Sequence, residues 1–166
     1  MLFRPQRHLT LGSFIPRRGN QHARAAGIRF VGAEKALPDT LIVAGRPGSG
    51  KTHLLHALAN FAKHNGAIRG ITCLAAVQFA DEVMRGGYYR DLDSVLRRYA
   101  SEGLLAIDDV ECLFYLPEVA TALLQVMQMR QATKRRTLLT TTLSLTPAPP
   151  HPLVAFLDHQ PAVRLM

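Results

Sequence analysis

The chain has 166 residues and a net charge of +8, and 48% of its residues are hydrophobic against 19% charged. This length suffices for one compact domain with a sizeable core but not for two ordinary domains, and the balance of apolar to charged residues excludes extensive disorder. No apolar stretch reaches the roughly 18 residues that a membrane-spanning helix needs, and no secretory signal is visible, so a cytoplasmic protein without membrane contact is expected.

The basic residues favour nucleic acid as a partner. Sixteen of the 20 are arginine, and six of these fall within the first 29 residues. Arginine suits bidentate contacts to phosphate, whereas a solvated, solubilising surface is the alternative explanation. Cys73 and Cys112 each lie in or beside an apolar run. We expect both to be reduced residues of the core.

The first predicted elements are an extended segment, a helix, a strand and a second helix. Residues 1–19 are rich in proline, glycine and arginine. Apolar residues at helical spacing predict a helix from Asn20 to about Ala36. The run TLIVAG, residues 40–45, is wholly apolar, which is typical of a buried parallel strand. A helix follows from Thr52 and ends at Gly66.

Strands and helices alternate along the rest of the chain. Strands are predicted over 70–75, 104–108 and 137–142, and helices over 76–86, 91–102 and 117–134. The stretch GGYYR, residues 86–90, is turn-like, and the proline-dense TPAPPHP, residues 146–152, predicts a loop. This alternation predicts an α/β fold with a parallel sheet covered by helices on both faces.

The stretch GRPGSGKT lies between the first strand and the helix after it and matches the phosphate-loop (Walker A) pattern G-x-x-x-x-G-K-[ST]. The glycines let the backbone N–H groups surround phosphates, Lys51 reaches the β and γ phosphates, and Thr52 offers a hydroxyl to Mg²⁺. The predicted binding residues are Gly45, Arg46, Pro47, Gly48, Ser49, Gly50, Lys51, Thr52 and His53.

Polar residues end two other predicted strands. Asp108 is expected to hold the magnesium ion, and Asp109 is the candidate that orients the attacking water. Thr141 or Thr142 would lie beside the γ-phosphate if its strand sits between the other two; a run selected for β-propensity alone is the alternative. With Lys51, the candidate catalytic residues are Asp108, Asp109 and Thr142.

For two other groups of residues the sequence leaves two alternative roles open. His53 and His56 have a helical spacing that could share a metal ion, but ordinary helix-surface histidines are the commoner case. Residues 86–90 with Arg85 combine tyrosines and arginines that could stack on single-stranded nucleic acid, or they form a partly packed turn.

These motifs resemble those of DnaA-like AAA+ ATPases, the family of the bacterial replication initiator and its clamp-associated regulator. The similar stretches, between roughly residues 9 and 146, are FIPRRGNQHARAAG, GRPGSGKTHLLHALAN and LRRYASEGLLAIDDVECL. The resemblance implies ATP or ADP held by residues 45–52, magnesium at Thr52 and Asp108, and water positioned by Asp109. It also implies γ-phosphate sensing near Thr142, where the family usually has Asp or Asn.

The resemblance implies an ATP-controlled assembly switch in bacterial DNA replication initiation. Thr142 and the expected loss of the lid depart from the family pattern, so whether ATP is hydrolysed stays open, and slow hydrolysis is expected if it occurs. ATP would bridge subunits of a homo-oligomer through an arginine supplied in trans, for which Arg164 is the candidate. We expect a basic segment over 1–19, a nucleotide-binding core over 20–146 and a proline-rich C-terminal segment over 147–166. Family members continue into a fifth strand, a helical lid and a DNA-binding domain. We expect this sheet to stop before the fifth strand, which would leave the phosphate-loop strand at an edge.

Other functions stay open at this point. VECL and the peptide QRHLTL are similar to parts of the clamp-associated inactivator of DnaA. A helicase-loader or transposition-helper ATPase and a non-hydrolysing nucleotide-binding protein are further alternatives. The corresponding partners are DnaA-like proteins, a sliding clamp or a helicase.

Overall fold

The computed structural model describes residues 3–32, 37–142 and 151–165 as a five-stranded parallel sheet between two layers of helices. The strands are β1 Thr40–Gly45, β2 Ile71–Ala75, β3 Leu104–Asp108, β4 Arg136–Thr142 and β5 Ala162–Leu165. The helices are α1 Gln21–Val31, α2 Lys51–Asn65, α3 Ala76–Tyr88, α4 Leu92–Ser101, α5 Pro117–Ala132 and α6 Pro152–Asp158, and a 3₁₀ segment spans Val110–Tyr115. The predicted α/β class is confirmed.

The strand order is β2-β3-β4-β1-β5. β4 therefore lies between β3 and β1. The prediction that Thr141 or Thr142 lies beside the phosphate loop depended on this strand order. All residues of β1 and β3 are buried, as expected for parallel strands covered on both faces. The carboxyl ends of β1, β3 and β4 meet at one edge of the sheet.

Two hydrophobic clusters cover the faces of the sheet. Alternate strand residues point to opposite faces, so Leu105 and Ile107 join the cluster with α3, α4, α5 and α6. Leu104 and Ala106 join the cluster with α1 and α2. Cys73 is buried and Cys112 is half-buried, and both are free thiols, as expected.

The expected loss of the fifth strand is wrong. β5 pairs in parallel with β1 over Ile42–Gly45, and the Ile42 N–H donates to the Pro161 carbonyl at 3.0 Å. The sequence signal for β5 is weak because the strand has only four residues and its side chains are mostly exposed, apart from Leu165. The phosphate-loop strand is therefore an inner strand of the sheet.

The predicted turn at residues 86–90 begins later than expected, because α3 continues through both glycines to Tyr88. A Cβ on Gly86 would lie 3.0 Å from Val95 Cγ2 and 3.2 Å from Leu92 Cα. This glycine therefore permits close packing of α3 on α4 and does not mark a turn.

The first helix is shorter than the prediction of residues 20–36, since α1 ends at Val31 and Gly32 follows as its cap. Residues 33–36 and most of the predicted proline-rich loop lie outside the described residues. In the described ranges no helix has both the length and the apolar character needed to cross a lipid bilayer.

Arg130 connects several of these elements although its side chain is fully buried. Its guanidinium donates to the carbonyls of Tyr99 and Glu102 at 2.8 and 2.7 Å and to Thr137 Oγ1 at 2.9 Å. It thus ties the carboxyl end of α4 and the chain before β3 to α5 and β4. Burial, together with the nearby charge of Arg135, lowers the pKa of Arg130 to about 9.

Candidate nucleotide-binding site

The phosphate loop has the conformation that its glycines allow. Gly48 and Gly50 have positive φ angles of 76° and 95°, which side chains other than glycine rarely adopt. A Cβ on Gly45 would lie 2.6 Å from Ser49 Oγ and 2.9 Å from Leu165 Cβ. Because no side chain caps α2, the N–H groups of its first turn face the loop and can bind an anion.

The predicted site residues meet in one open cleft of about 760 Å³. Its lining includes Lys51, Thr52, Asp108, Asp109 and Thr142. Lys51 is buried and its Nζ donates to the Arg46 carbonyl at 3.4 Å, while Thr52 is exposed. The proximity of these side chains is thus observed, whereas the roles assigned to them stay predictions.

Residues of the loop also line a second depression of about 400 Å³ beside the first. Arg46, Pro47, Gly48, Ser49, Gly50 and His53 line it together with residues of the N-terminal segment. Ser49 Oγ is buried and has no hydrogen-bond partner among the residues the structure describes. This hydroxyl could therefore donate a hydrogen bond to a bound phosphate oxygen.

Thr140 orients Asp108, the acid predicted to bind magnesium, and the sequence analysis did not identify this contact. Its hydroxyl donates to Asp108 Oδ1 and accepts from the Asp109 N–H at 2.8 Å. Asp108 is only 7% exposed. A buried carboxylate held in one orientation at a strand end is a suitable ligand for Mg²⁺.

Asp109 has a strained backbone, with a positive φ of 55°, which is uncommon for a residue other than glycine and frequent at functional sites. Partial burial raises the pKa of Asp109, and the negative charges of Asp108 and Glu111 raise it further, while Lys51 acts in the opposite direction. A raised carboxyl pKa of this kind is frequent at functional sites.

Glu111 is a further acidic residue of the cleft that the sequence analysis did not single out. Its Oε1 accepts from the Thr142 N–H at 3.1 Å, whereas its buried Oε2 has no partner within the described part of the chain. Thr142 lines the cleft while Thr141 is buried at 3% exposure. Of the two predicted threonines, Thr142 is therefore the one placed to sense a ligand.

The histidines of α2 hold the N-terminal segment. His53 Nε2 lies 3.1 Å from both the Thr10 carbonyl and Ser13 Oγ. His56 Nδ1 accepts from the Gln6 N–H at 3.3 Å. These contacts account for both histidines without a metal ion.

Two further contacts complete this attachment. Asn60 Nδ2 donates to the carbonyls of Gln6 and Leu9, each at 2.8 Å. The Cys73 thiol lies 3.1 Å from His56 Nδ1, and burial raises the pKa of Cys73 to about 12. Leu9 itself lines the cleft. The N-terminal segment is thus a wall of the nucleotide site.

Two other predicted groups lie outside the cleft. Tyr88 and Tyr89 are 83% and 73% exposed, with ring centroids 5.0 Å apart, so in this stretch Gly86 is packed against α4 but the two rings are not. Arg164 is exposed on β5 in register with Ala44. Both groups are available to a macromolecular partner.

The residues of the cleft fit a nucleoside triphosphate with Mg²⁺. For phosphate, the loop supplies the backbone N–H groups at the uncapped start of α2 and a Ser49 hydroxyl without a partner in the described residues. The buried Lys51 supplies a positive charge. Oxygen donors of the kind that Mg²⁺ prefers come from Thr52 and Asp108.

The sequence is similar to that of bacterial replication initiators. The family model Bacterial DnaA ATPase domain matches residues 6–150. The chromosomal replication initiator protein DnaA of Leptothrix cholodnii is 37% identical over 103 residues, which are 62% of this chain and 20% of that protein. The DnaA protein of Methylibium petroleiphilum is 36% identical over 62% of this chain and 22% of its own length. The chain thus spans about a fifth of the length of these curated relatives.

Solved structures share the fold. The replication initiator DnaA bound to AMPPCP and single-stranded DNA superposes with a TM-score of 0.89 at 22% identity, over 97% of this chain and 50% of that one. The DnaC helicase loader superposes with a TM-score of 0.73 at 18% identity, over 96% of this chain and 98% of that one.

Proposed function

Because the chain belongs to the bacterial DnaA ATPase domain family, we propose that it is an ATP-binding module that acts in bacterial replication initiation as an ATP-controlled assembly switch. The observation that carries this proposal is the cleft shared by the phosphate loop and the acidic ends of β3. A solved initiator of the same fold is bound to the ATP analogue AMPPCP. Nucleotide binding is thus the property on which the switch depends.

Each residue of the cleft has a separate task in this proposal. Lys51 and the loop N–H groups hold the phosphates. Thr52 and Asp108 hold Mg²⁺, and Thr140 keeps the Asp108 carboxylate in the required orientation. Bound ATP with Mg²⁺ supplies the phosphoryl group that can be transferred to water. Asp109 orients that water, and Thr142 contacts the γ-phosphate.

Calorimetric titration of ATP and ADP in the presence of Mg²⁺ tests the nucleotide site. Lys51→Ala is expected to weaken binding at least about tenfold, because a buried charged hydrogen-bond donor to phosphate is removed. Lys63→Ala is the matched control, since Lys63 lies on the same helix but is exposed. Equal affinities of the parent protein and Lys51→Ala would contradict the proposal. Phosphate release from the same samples shows whether ATP is also hydrolysed.

The switch requires that ATP and ADP favour different assemblies. Arg164 is the proposed arginine supplied to the nucleotide of a neighbouring subunit, supported by its exposed position on β5. Light scattering should detect larger particles with ATP than with ADP, and Arg164→Ala should abolish this difference while leaving ATP affinity unchanged. Particles of equal size with both nucleotides would exclude the switch but leave nucleotide binding intact.

A single-stranded DNA contact at the end of α3 is part of this proposal, because a solved initiator of the same fold binds single-stranded DNA. The exposed rings of Tyr88 and Tyr89 can stack on bases, and Arg85 and Arg90 are close in sequence. Tyr88→Ala/Tyr89→Ala should weaken binding of an oligothymidine about tenfold or more. Tyr115→Ala, which removes a 70% exposed ring elsewhere, should leave it unchanged. Equal effects in both variants would exclude the contact.

The clamp-associated regulator is less well supported. Its proposed clamp-binding peptide, residues 6–11, lies against α2, where Asn60 binds the carbonyls of Gln6 and Leu9. Clamp binding would therefore require that these contacts break. Likeness to a helicase loader extends to the fold alone.

A further inference from the structure

A second concave surface lies at the amino-terminal edge of the sheet, at the opposite end of the strands from the nucleotide cleft. Two depressions of about 390 and 490 Å³ meet there at Ile68. Six basic residues that the nucleotide site does not use line these depressions. Arg136 is buried and donates to the carbonyls of Leu37 and Pro38. The other five form what we call the basic edge: Arg4, Lys63, Arg69, Lys134 and Arg135.

The sheet register places these cations side by side. Ile71 of β2 is paired with Leu104 of β3, which is paired with Arg136 of β4. Arg69 and Lys134 each precede the paired residue of their strand by two positions. Since neighbouring strands are about 4.8 Å apart, the backbones of Ile71 and Arg136 lie roughly 10 Å apart across β3. Arg69 and Lys134 line the same depression beside these strand starts.

The charges of the basic edge are not neutralised. None of its five cations forms an ion pair with any residue in the described ranges; the recorded ion pairs are all on α3 and α4. Asp39 and Glu102 are the acidic residues that line the same depressions. The basic edge therefore presents excess positive charge to solvent.

The backbone beneath these side chains is held firmly. The Leu104 N–H donates to the Gly70 carbonyl at 2.9 Å, and the Arg136 N–H donates to the Gly103 carbonyl at 3.1 Å. The buried Arg130 guanidinium also donates to the Glu102 carbonyl at 2.7 Å. The turns that carry the cations are thus fixed relative to one another, which reduces the entropy lost on binding a partner.

We propose that the basic edge binds the phosphate backbone of double-stranded DNA. Within the described part of the chain no aromatic side chain lines either depression, so these residues offer no stacking platform of the kind that single-stranded nucleic acid uses. Its apolar lining is limited to Pro5, Ala67, Ile68 and Ile71, and basic side chains surround these residues. Cations spaced across adjacent strands instead match contacts to successive phosphates, which give affinity without sequence preference.

Fluorescence anisotropy with a labelled 20-base-pair duplex and the full chain tests this proposal, without nucleotide and over a salt series. In Arg69→Gln/Lys134→Gln the duplex affinity should fall at least about fivefold, and the plot of log affinity against log salt should become shallower by about 2. Arg18→Gln/Arg97→Gln removes the same charge from exposed positions elsewhere and should change the affinity less than about twofold.

The proposal would be overturned if the parent chain did not bind the duplex, or if both double variants lost the same amount of duplex affinity. It would also be overturned if Arg69→Gln/Lys134→Gln lost as much affinity for polyglutamate as for the duplex, which would indicate an acidic protein partner. Unfolding curves of both variants confirm that they are folded. The result is separable from that of the nucleotide site, because Lys51→Ala should bind the duplex as the parent chain does.

Discussion

Glu111 differs from the other acidic residues of the cleft because one of its carboxylate oxygens, Oε2, is buried and has no partner in the described residues. The other oxygen holds the Thr142 N–H at the end of β4. A buried carboxylate oxygen needs a donor, and water bound to Mg²⁺ is a suitable one. We therefore expect Glu111→Gln to weaken ATP binding about tenfold in the presence of Mg²⁺ but not in EDTA.

Calorimetric titrations under both conditions measure this difference. Gln retains an oxygen for the Thr142 N–H, so the variant tests the charge and not the fold. Glu118→Gln removes an exposed carboxylate from the first turn of α5 and serves as the control. Equal losses of affinity with and without Mg²⁺ would show that Glu111 acts on the nucleotide or on the fold in general.

Arg130 is the residue whose loss should destabilise the fold most directly. Arg130→Met keeps much of the apolar volume but leaves the carbonyls of Tyr99 and Glu102 without their donor. We expect the free energy of unfolding to fall by about 2–4 kcal/mol in urea denaturation. Arg97→Met, at an exposed arginine of α4, should change it by less than about 0.5 kcal/mol. Similar stability of the two variants would show that buried carbonyls find other donors.

Short motifs explain which site residues the sequence could predict. Lys51 and Asp108 belong to patterns whose chemistry depends on neighbouring residues in the chain. The partners of the acidic strand end do not: Thr140 is 32 residues from Asp108, and Thr142 is 31 residues from Glu111. Such pairs depend on β3 and β4 being neighbours, which no local pattern reveals.

At the scale of elements, α2 carries out two tasks with two sets of side chains. Its amino end supports the phosphate loop, and its polar face binds the N-terminal segment through His53, His56 and Asn60. Burial lowers the pKa of His56, with a further contribution from His8 and His53, whereas Asp108 acts in the opposite direction. His56 is therefore held neutral between the Gln6 N–H and the Cys73 thiol.

This lowered pKa predicts a pH-dependent stability. Below the ordinary histidine pKa of about 6.5 the unfolded chain takes up a proton that folded His56 resists, so stability should fall as the pH decreases through that value. The stability lost in this way stops increasing once the pH is below the pKa of His56 in the folded protein. Thermal unfolding between pH 8 and pH 5 measures it.

His56→Asn should reduce the dependence on pH, because asparagine offers an acceptor to the Gln6 N–H but does not titrate. His22→Gln, at an exposed position of α1, should leave it unchanged. Identical pH profiles for the parent chain and His56→Asn would assign the effect to other groups.

The sequence predicted long elements better than short ones. α2 and α5 have clear helical periodicity and signals at their ends, so their positions were predicted closely. β5 is short and mostly exposed, and Gly86 in α3 suggested a turn although it serves helix packing. In both cases the conformation depends on a neighbouring element, β1 or α4, and not on local preference.

At the scale of the whole molecule, the parallel sheet separates two surfaces. The carboxyl ends of its strands form the nucleotide cleft, and the amino ends form the basic edge. The three inner strands β1, β3 and β4 between these surfaces are buried almost throughout and are paired with their neighbours along the sheet. The outer strand β2 is partly covered by the N-terminal segment, because the Cys73 N–H donates to the Phe3 carbonyl at 3.1 Å. The other outer strand, β5, has only four residues. Such edges limit pairing with other chains.

The position of β5 links the stability of the molecule to its nucleotide site. Leu165 is 1% exposed and its Cβ lies 2.9 Å from the place that a Cβ on Gly45 would occupy. Leu165→Ala should therefore lower the free energy of unfolding by about 2–4 kcal/mol and also weaken ATP binding several-fold, because the start of the phosphate loop loses its support. Urea denaturation and calorimetry measure the two effects. Arg164→Ala, one residue earlier and exposed, should change neither. A loss of stability with unchanged ATP affinity would show that β5 supports the sheet but not the loop.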